Sequence, residues 1–448
     1  MSFHFATALL PEGWAADVRI EVANGAIAAV ARGVPPASSD ERHAIALPGL
    51  PNLHSHAFQR GMAGLAETRG TSQDSFWTWR ETMYRFVDRV TPDQLRAIAA
   101  QAYVEMLESG FTRVGEFHYL HHDLGGRPYA DPAETSAAIV AAAQDSGIAL
   151  THLPVFYAHA GFGGLPPGEG QSRFVHDLDG FAALLEKLRP LVAALPDAVL
   201  GVAPHSLRAV TPEELAALPG LVEGPVHIHI AEQLGEVDDC LAGSGARPVE
   251  WLLANAPVDA RWCLVHATHS TEAELRGIAA SGAVAGLCPI TEANLGDGIF
   301  PAASFLAAGG MFGVGSDSNV RIDAAEELRL LEYGQRLAAR GRNIVAAEGG
   351  SSGAALYSGA LAGGARALGA PAALAVGAAA DFVTLDPDHP ALAARSGDAL
   401  LDALVFAAGS SAIDGVWRRG RRLVEAGRHV HRGTIAARYR RALGELLA

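Results

Sequence analysis

Two histidines one residue apart, His54 and His56, stand in the stretch PGLPNLHSHAFQR at residues 48–60, directly after an apolar run. On a β-strand, side chains two apart leave the same face, so two imidazoles there can grip one metal ion. Taken alone, an HxH is ordinarily a pair of satisfied core histidines. The metal reading comes from recurrence: a second HxH, His227 and His229 in VHIHIAEQ, is followed by His266 in WCLVHATH and Asp317 in MFGVGSDSN. Nitrogen ligands with one carboxylate and a position left for water form the catalytic rather than the closed structural zinc pattern. His227 shares the face of His229 but lies deeper, as a core residue or a support for the ligands.

Residues so far apart need a scaffold that converges. From about residue 47, short apolar strands alternate with Ala/Leu-rich helical segments, and eight strands can be counted, from IALPGLPNLHSH through FTRVGEFHYL, AVLGVAPHSL and PVHIHIAE to MFGVGSDSN. That order predicts an α/β chain folded as a (β/α)8 TIM-type barrel over residues 47–374. Nearly every strand ends in a polar residue (His56, Tyr119, His205, His229, His266, Asp317), and in a barrel those C-terminal ends meet at one mouth. Residues 1–46 and 375–448 alternate apolar and polar positions instead. They predict one small β-sandwich domain built from both termini, with a hairpin turn at Asn24-Gly25 and a closing amphipathic helix, TIAARYRRALGELLA. GLPPGEGQ at 164–171 and EGGSSGAA at 348–355 read as loops.

With 448 residues, 49% of them hydrophobic, the chain can bury a large core. A formal charge of −15 argues against a nucleic-acid or anionic-membrane partner, since both require a net basic face. Any anionic small molecule must then be held by a few local cations, nearly all arginines, because Lys187 is the single lysine. The N-terminus lacks a basic n-region and a long apolar h-region, and the apolar runs elsewhere are interrupted by polar residues. Cys240, Cys263 and Cys288 are too few and too scattered for a disulfide framework, and read as core thiols of a cytoplasmic protein.

The motifs PGLPNLHSH, HIAE, VHATH and GSDSN, followed by VGAAADFVTLD, occur in the order found in the amidohydrolase superfamily, and the chain resembles that family over essentially its whole length. The resemblance implies one metal held by His54, His56, His229 and Asp317, with Glu232 as proton shuttle and His266 polarising the substrate or its intermediate. The chemistry of the residues agrees. Zinc lowers the pKa of bound water from about 15.7 to about 7. Asp317 at the metal can take that proton, and Glu232, just past His229 where the strand has ended, is placed for general acid/base work. Members with two metals often bridge them with a carboxylated lysine on the fourth strand. Here Lys187 lies upstream of that strand, which points to one divalent ion, most simply Zn2+, although Glu116 is the nearest residue that could bridge a second.

Further signatures, NLHSHAFQRGMAG, SFWTWRETMY, GEFHYLHH and APHSLRAVTP, resemble the branch of the family that removes an imino group from a small linear amidine bearing two carboxylates. This resemblance places Gln59, Arg80, Tyr119, His205 and Arg208 around the substrate, while Trp77 and Trp79 are expected to pack the loop. Planar guanidinium forks at Arg80 and Arg208 suit two carboxylates. The competing readings are a single-zinc deaminase of a heterocycle such as a purine or s-triazine, which would want a flat aromatic pocket without paired arginines, and a non-catalytic barrel scaffold. A homodimer is implied by the family alone.

Overall fold

The computed structural model describes residues 1–69 and 76–448. The chain opens with β1 (Ser2–Leu10), β2 (Gly13–Ala23), β3 (Ala26–Ala31) and β4 (Glu41–Pro48). Asn24 and Gly25, with φ of 52° and 82°, form the two-residue turn between β2 and β3, a conformation that glycine and asparagine tolerate best. After Gly49 the chain runs straight into β5 (Leu50–Ser55). There follow β6 (Phe111–His118), β7 (Ala149–Phe156), β8 (Val199–Leu200), β9 (Ala203–Pro204), β10 (Val226–Ile230), β11 (Trp262–His266), β12 (Val284–Leu287) and β13 (Met311–Val314), then β14 (Phe382–Leu385), β15 (Ile413–Arg418), β16 (Arg421–Glu425) and β17 (Arg428–His429).

Strands β5 to β8 pair in parallel, as do β10 to β13, and both arcs carry helices between their strands. Single bridges at Val202–Val226 and Ser206–His229 join the end of the first arc to β10, and Ser55–Asp317 joins the end of β13 to β5. Strands β5, β6, β7, β10 and β11 are buried along their entire length, as expected when helices cover one face and other strands' side chains the other. Leu53 lies fully buried among Cys263, Val265 and Val284. It fits there because Gly286 and Gly313 carry no Cβ: one built on them would approach the Leu53 methyls to 2.9 and 2.4 Å. Truncating Leu53 would leave a void costing about 2–5 kcal/mol. Several outer helices begin with Thr-x-x-Gln/Glu boxes, at Thr91, Thr211 and Thr271, whose hydroxyls accept from the backbone N–H three residues on.

The two termini meet in one eight-stranded sheet of order β17-β16-β15-β14-β4-β1-β2-β3. Phe3 and Phe5 of β1 pack edge-on against Phe382 of β14, which stacks on Trp417 of β15, so an aromatic cluster ties together segments from both ends of the chain. The closing helix spans Arg432–Leu447. One expectation needs correcting: the stretch at 348–355 is a loop only as far as Ser351, whose hydroxyl caps the helix Ser352–Ala367 by accepting from Ala354 N–H. Among the described residues, no helix is long and apolar enough to cross a membrane.

Candidate active site

The ends of β5 and β10 and the segment after β13 bring three imidazoles and one carboxylate to a single point. His54 Nε2 lies 3.2 Å from His56 Nε2 and 3.0 Å from His229 Nε2, and Asp317 Oδ1 lies 3.5 and 3.3 Å from His54 and His56 Nε2. The other ring nitrogens explain the orientation. His56 Nδ1 donates to Phe117 O at 2.9 Å and His229 Nδ1 to His205 O at 3.1 Å, which leaves each Nε2 with a lone pair aimed at its neighbours. Burial pushes all three histidines down, His56 to about 3, so they are neutral at physiological pH. Asp317 is the reverse case: burial opposes its charge, but the His54 contact and the surrounding imidazoles hold it below the usual carboxylate range. Lone pairs and a carboxylate facing one point repel unless a cation lies among them. This donor set therefore fits a divalent metal ion, and His54, His56 and His229 form a ligand group on geometry alone.

A clasp holds β5 and the segment after β13 together here. Asn52 Nδ2 donates to Ser316 Oγ at 2.6 Å, whose hydroxyl donates to Asn319 Oδ1 at 2.6 Å. The Asn319 amide nitrogen then reaches Ser55 Oγ, His56 O and Asp317 O at 3.0–3.1 Å. His266 and Asp317 sit at φ of 68° and 45°, and Ala231 after β10 at 49°. Left-handed backbone at non-glycine residues costs of order 1–3 kcal/mol and gathers where side chains must be aimed.

Beside the ligand group, His266 Nε2 lies 3.8 Å from both Glu232 Oε1 and Asp317 Oδ2. Burial raises Glu232 to about 7, with His266 pulling the other way and Asp317 adding to the rise. A carboxyl poised there can take up and return a proton near neutrality. His266 is pushed up to about 10: burial opposes its charge, but Glu232, Glu292 and Asp317 outweigh it. Glu116, the residue considered for bridging a second ion, instead accepts from Ala57 N–H at 2.7 Å and Tyr103 O–H at 3.1 Å.

Gln59, Arg80, Tyr119, His205 and Arg208 line one cavity together with His56, His229, Glu232, His266 and Asp317. His54 sits beneath it, fully buried. Gln59 Nε2 donates to the Tyr119 hydroxyl at 2.9 Å, and its Oε1 has no partner among the described residues. Arg80 lies 4.4 Å over the Trp77 ring, and Arg208, only 8% exposed, lies 5.9 Å from the same ring, so one indole stands beside both guanidiniums. Trp79, expected to pack the loop, instead lines the cavity, as do Tyr84, Tyr157 and Phe174, which the sequence reading did not single out. Tyr84 lies within SFWTWRETMY, four residues past Arg80 and so one helical turn along Phe76–Val87, and that spacing was the available signal. Cys288 is buried and free as expected of a core thiol, yet its sulfur comes within 4.8 Å of the ligand atoms of His266 and Asp317.

The parallel α/β fold and the clustered histidines and carboxylates suit a hydrolase, and residues 45–423 match the amidohydrolase family; the chain belongs to that family. Residues 1–44 match a second family described as the N-terminal domain of formimidoylglutamate deiminase HutF. The chain is 55% identical to formimidoylglutamate deiminase of Pseudomonas aeruginosa over 446 residues, 98% of each protein. A crystal structure of an amidohydrolase from Brucella melitensis superposes with a TM-score of 0.97 at 55% identity, covering 100% of both chains. A zinc-bound adenosine deaminase from Xanthomonas campestris, 23% identical with a TM-score of 0.82 over 100% of this chain and 98% of that one, shares the TIM-barrel-type fold.

Proposed function

We propose that the protein hydrolyses N-formimidoyl-L-glutamate to N-formyl-L-glutamate and ammonia, a deimination belonging to histidine degradation. The observation that carries this reading is one cavity lined both by His56, His229, Asp317 and Glu232 and by two arginines, Arg80 and Arg208. The near full-length identity to a formimidoylglutamate deiminase supports the same reaction.

In this reading His54, His56, His229 and Asp317 hold one divalent ion, zinc by the chemistry of its donors. Such an ion supplies Lewis acidity and makes water a competent nucleophile near neutral pH. Arg80 and Arg208 take the two substrate carboxylates, while Gln59, Tyr119 and His205 border the amidine. Water adds to the formimidoyl carbon as Glu232 accepts its proton. Glu232 then returns that proton to the departing nitrogen of the protonated amidine, the C–N bond breaks to release ammonia, and the new hydroxyl gives its remaining proton to Asp317 as the formyl C=O forms. His266 stabilises the tetrahedral carbon species through its Nε2.

The same reading takes the two arcs and their bridges as a closed (β/α)8 barrel over 47–374, and the terminal sheet as a small β-sandwich over 1–46 and 375–448. It takes the protein as a cytoplasmic homodimer that acts on a small anionic substrate without nucleic-acid or membrane partners. Three buried free thiols support the reducing compartment. The aromatic walls given by Trp79, Tyr84, Tyr157 and Phe174 favour the rival ring deaminase, whereas the paired arginines do not. Ammonia release from a panel of formimidoylglutamate, formimidoylaspartate, guanine and adenosine decides between them. We expect formimidoylglutamate to be turned over most efficiently; preferred release from either ring would overturn the assignment.

A further inference from the structure

Three of the four imidazoles at the centre, all but His54, are steered through their far nitrogen, but not by the same kind of group. His56 and His229 are steered by backbone carbonyls, while His266 Nδ1 faces a carboxylate, Glu292 Oε1, at 3.2 Å. That carboxylate is anchored in turn. The same Oε1 accepts from Cys288 N–H at 2.9 Å, and the backbone carbonyl of Glu292 accepts from Asp297 N–H at 2.9 Å. Glu292 is only 5% exposed, and its short helix, Pro289–Leu295, is fixed by Ile290 N–H donating to the buried Glu327 at 2.9 Å. Thr291, next to it, shares a 2.9 Å hydroxyl contact with Ser318, one residue past Asp317.

We propose that Glu292 is the positioning residue for His266, holding Nδ1 so that Nε2 is the nitrogen presented to the cavity between Glu232 and Asp317. The inference rests on the reading that His266 acts on the substrate. Glu292 does not line the cavity and touches no reacting atom; it acts through the ring. A buried imidazole at φ of 68° that lost this partner would be free to turn about its side-chain bonds and present carbon where a nitrogen is required.

The test is a double-mutant cycle on the metal-loaded, full-length protein with Glu292→Ala, His266→Ala and the pair, measured on whichever panel substrate the parent turns over best. Failure of the deiminase reading would then show in the parent, before any variant is made. We expect Glu292→Ala alone to lower kcat about 10- to 100-fold with metal content and KM little changed. In the His266→Ala background the same substitution should change kcat by less than about threefold, because the group it acts through is gone. An equal loss in both backgrounds, or a single variant within about threefold of the parent, overturns the proposal. A readout independent of turnover is nitrogen-15 NMR of histidine-labelled protein, with the His266 ring identified by its absence in His266→Ala. Glu292→Ala should abolish its protected Nδ1–H signal, and persistence of that signal overturns the proposal. Should Glu292→Ala fail to fold, Glu292→Gln, which keeps the shared oxygen, should retain both the signal and most of kcat; loss of the signal with kcat unchanged would again count against it.

Discussion

The histidines at the ends of β5 and β10 and those on β6, β7 and the loops beside them are alike in burial and in charge, yet they are satisfied in opposite ways. In the second group His118 Nε2 meets Thr135 Oγ1 at 3.1 Å, His121 Nε2 donates to Val155 O at 2.8 Å, and His152 Nε2 meets Ser136 Oγ at 3.0 Å. Their rings are close, with centroids 5.6 Å apart for His118 and His152, but the Nε2 atoms of His118, His121 and His152 each have a private partner. In the first group Nε2 faces Nε2 at 3.0–3.2 Å with the far nitrogen of His56 and His229 already engaged. Burial lowers the pKa in both groups, so a lowered pKa does not distinguish them. The direction of the lone pairs does: one group is packing that happens to be polar, the other a set of donors with nothing but one another to face.

That contrast can be broken most sharply by substitution at its two poles. His54→Ala or Asp317→Ala should lose metal and ammonia release together, whereas His152→Gln should keep both to within about twofold; metal loss from His152→Gln, read by elemental analysis, would erase the distinction. Next in size, Glu232→Gln should retain the metal while turnover falls about 10²- to 10⁴-fold, because the amide matches the shape but cannot carry a proton. Near-parental turnover in metal-replete Glu232→Gln would remove it from the chemistry. Arg208→Ala and Arg80→Ala should each cost about 2–5 kcal/mol in kcat/KM on a dicarboxylate substrate, since a substrate charge is left unpaired in a partly closed cavity. Lysine at either position should restore only part of this, for want of the planar fork; alanine variants within about threefold of the parent would make the arginines structural.

The smallest effect is a slope. Burial holds His152 at about 3 in the folded chain against 6.5 when exposed. Below pH 6.5 the unfolded chain therefore takes up a proton that the folded chain refuses, and stability is lost progressively as pH falls towards the folded value. Each such histidine contributes about 1.4 kcal/mol per pH unit across that window. Urea unfolding of His152→Gln between pH 6 and 4.5 should show a shallower decline than the parent; identical slopes would mean that His152 is not discharged by burial.

The residues that cluster at the centre were legible because each stands at or just past the C-terminal end of an apolar strand, where a polar side chain has no packing reason to be. Glu232 was legible from its position just past His229. Glu292 was not, because it lies 26 residues beyond His266 on a separate short helix, and nothing local marks it as that ring's partner. Cys288 passed for packing, since burial is what a thiol ordinarily seeks and only the fold brings it near Asp317. The fourth strand, read as one run in AVLGVAPHSL, is two fragments, Val199–Leu200 and Ala203–Pro204, each too short for any periodicity to show the break. That Trp79 lines the cavity as well as packing against the core was not legible, because an aromatic residue on a helix looks the same in sequence in either setting.

The Asn319 clasp has a consequence for how the protein comes into being. It ties the carbonyl of His56 to a residue 263 positions later, and Asp317 itself arrives only with the eighth strand of the barrel. A nascent chain that has emerged through β10 already carries His54, His56 and His229, but it lacks both the carboxylate and the amide that draws β5 against β13. The centre is therefore complete only once the segment after β13 lies against β5, and a chain interrupted before residue 317 carries three of the four proposed ligands, with β5 paired to β6 but without the clasp.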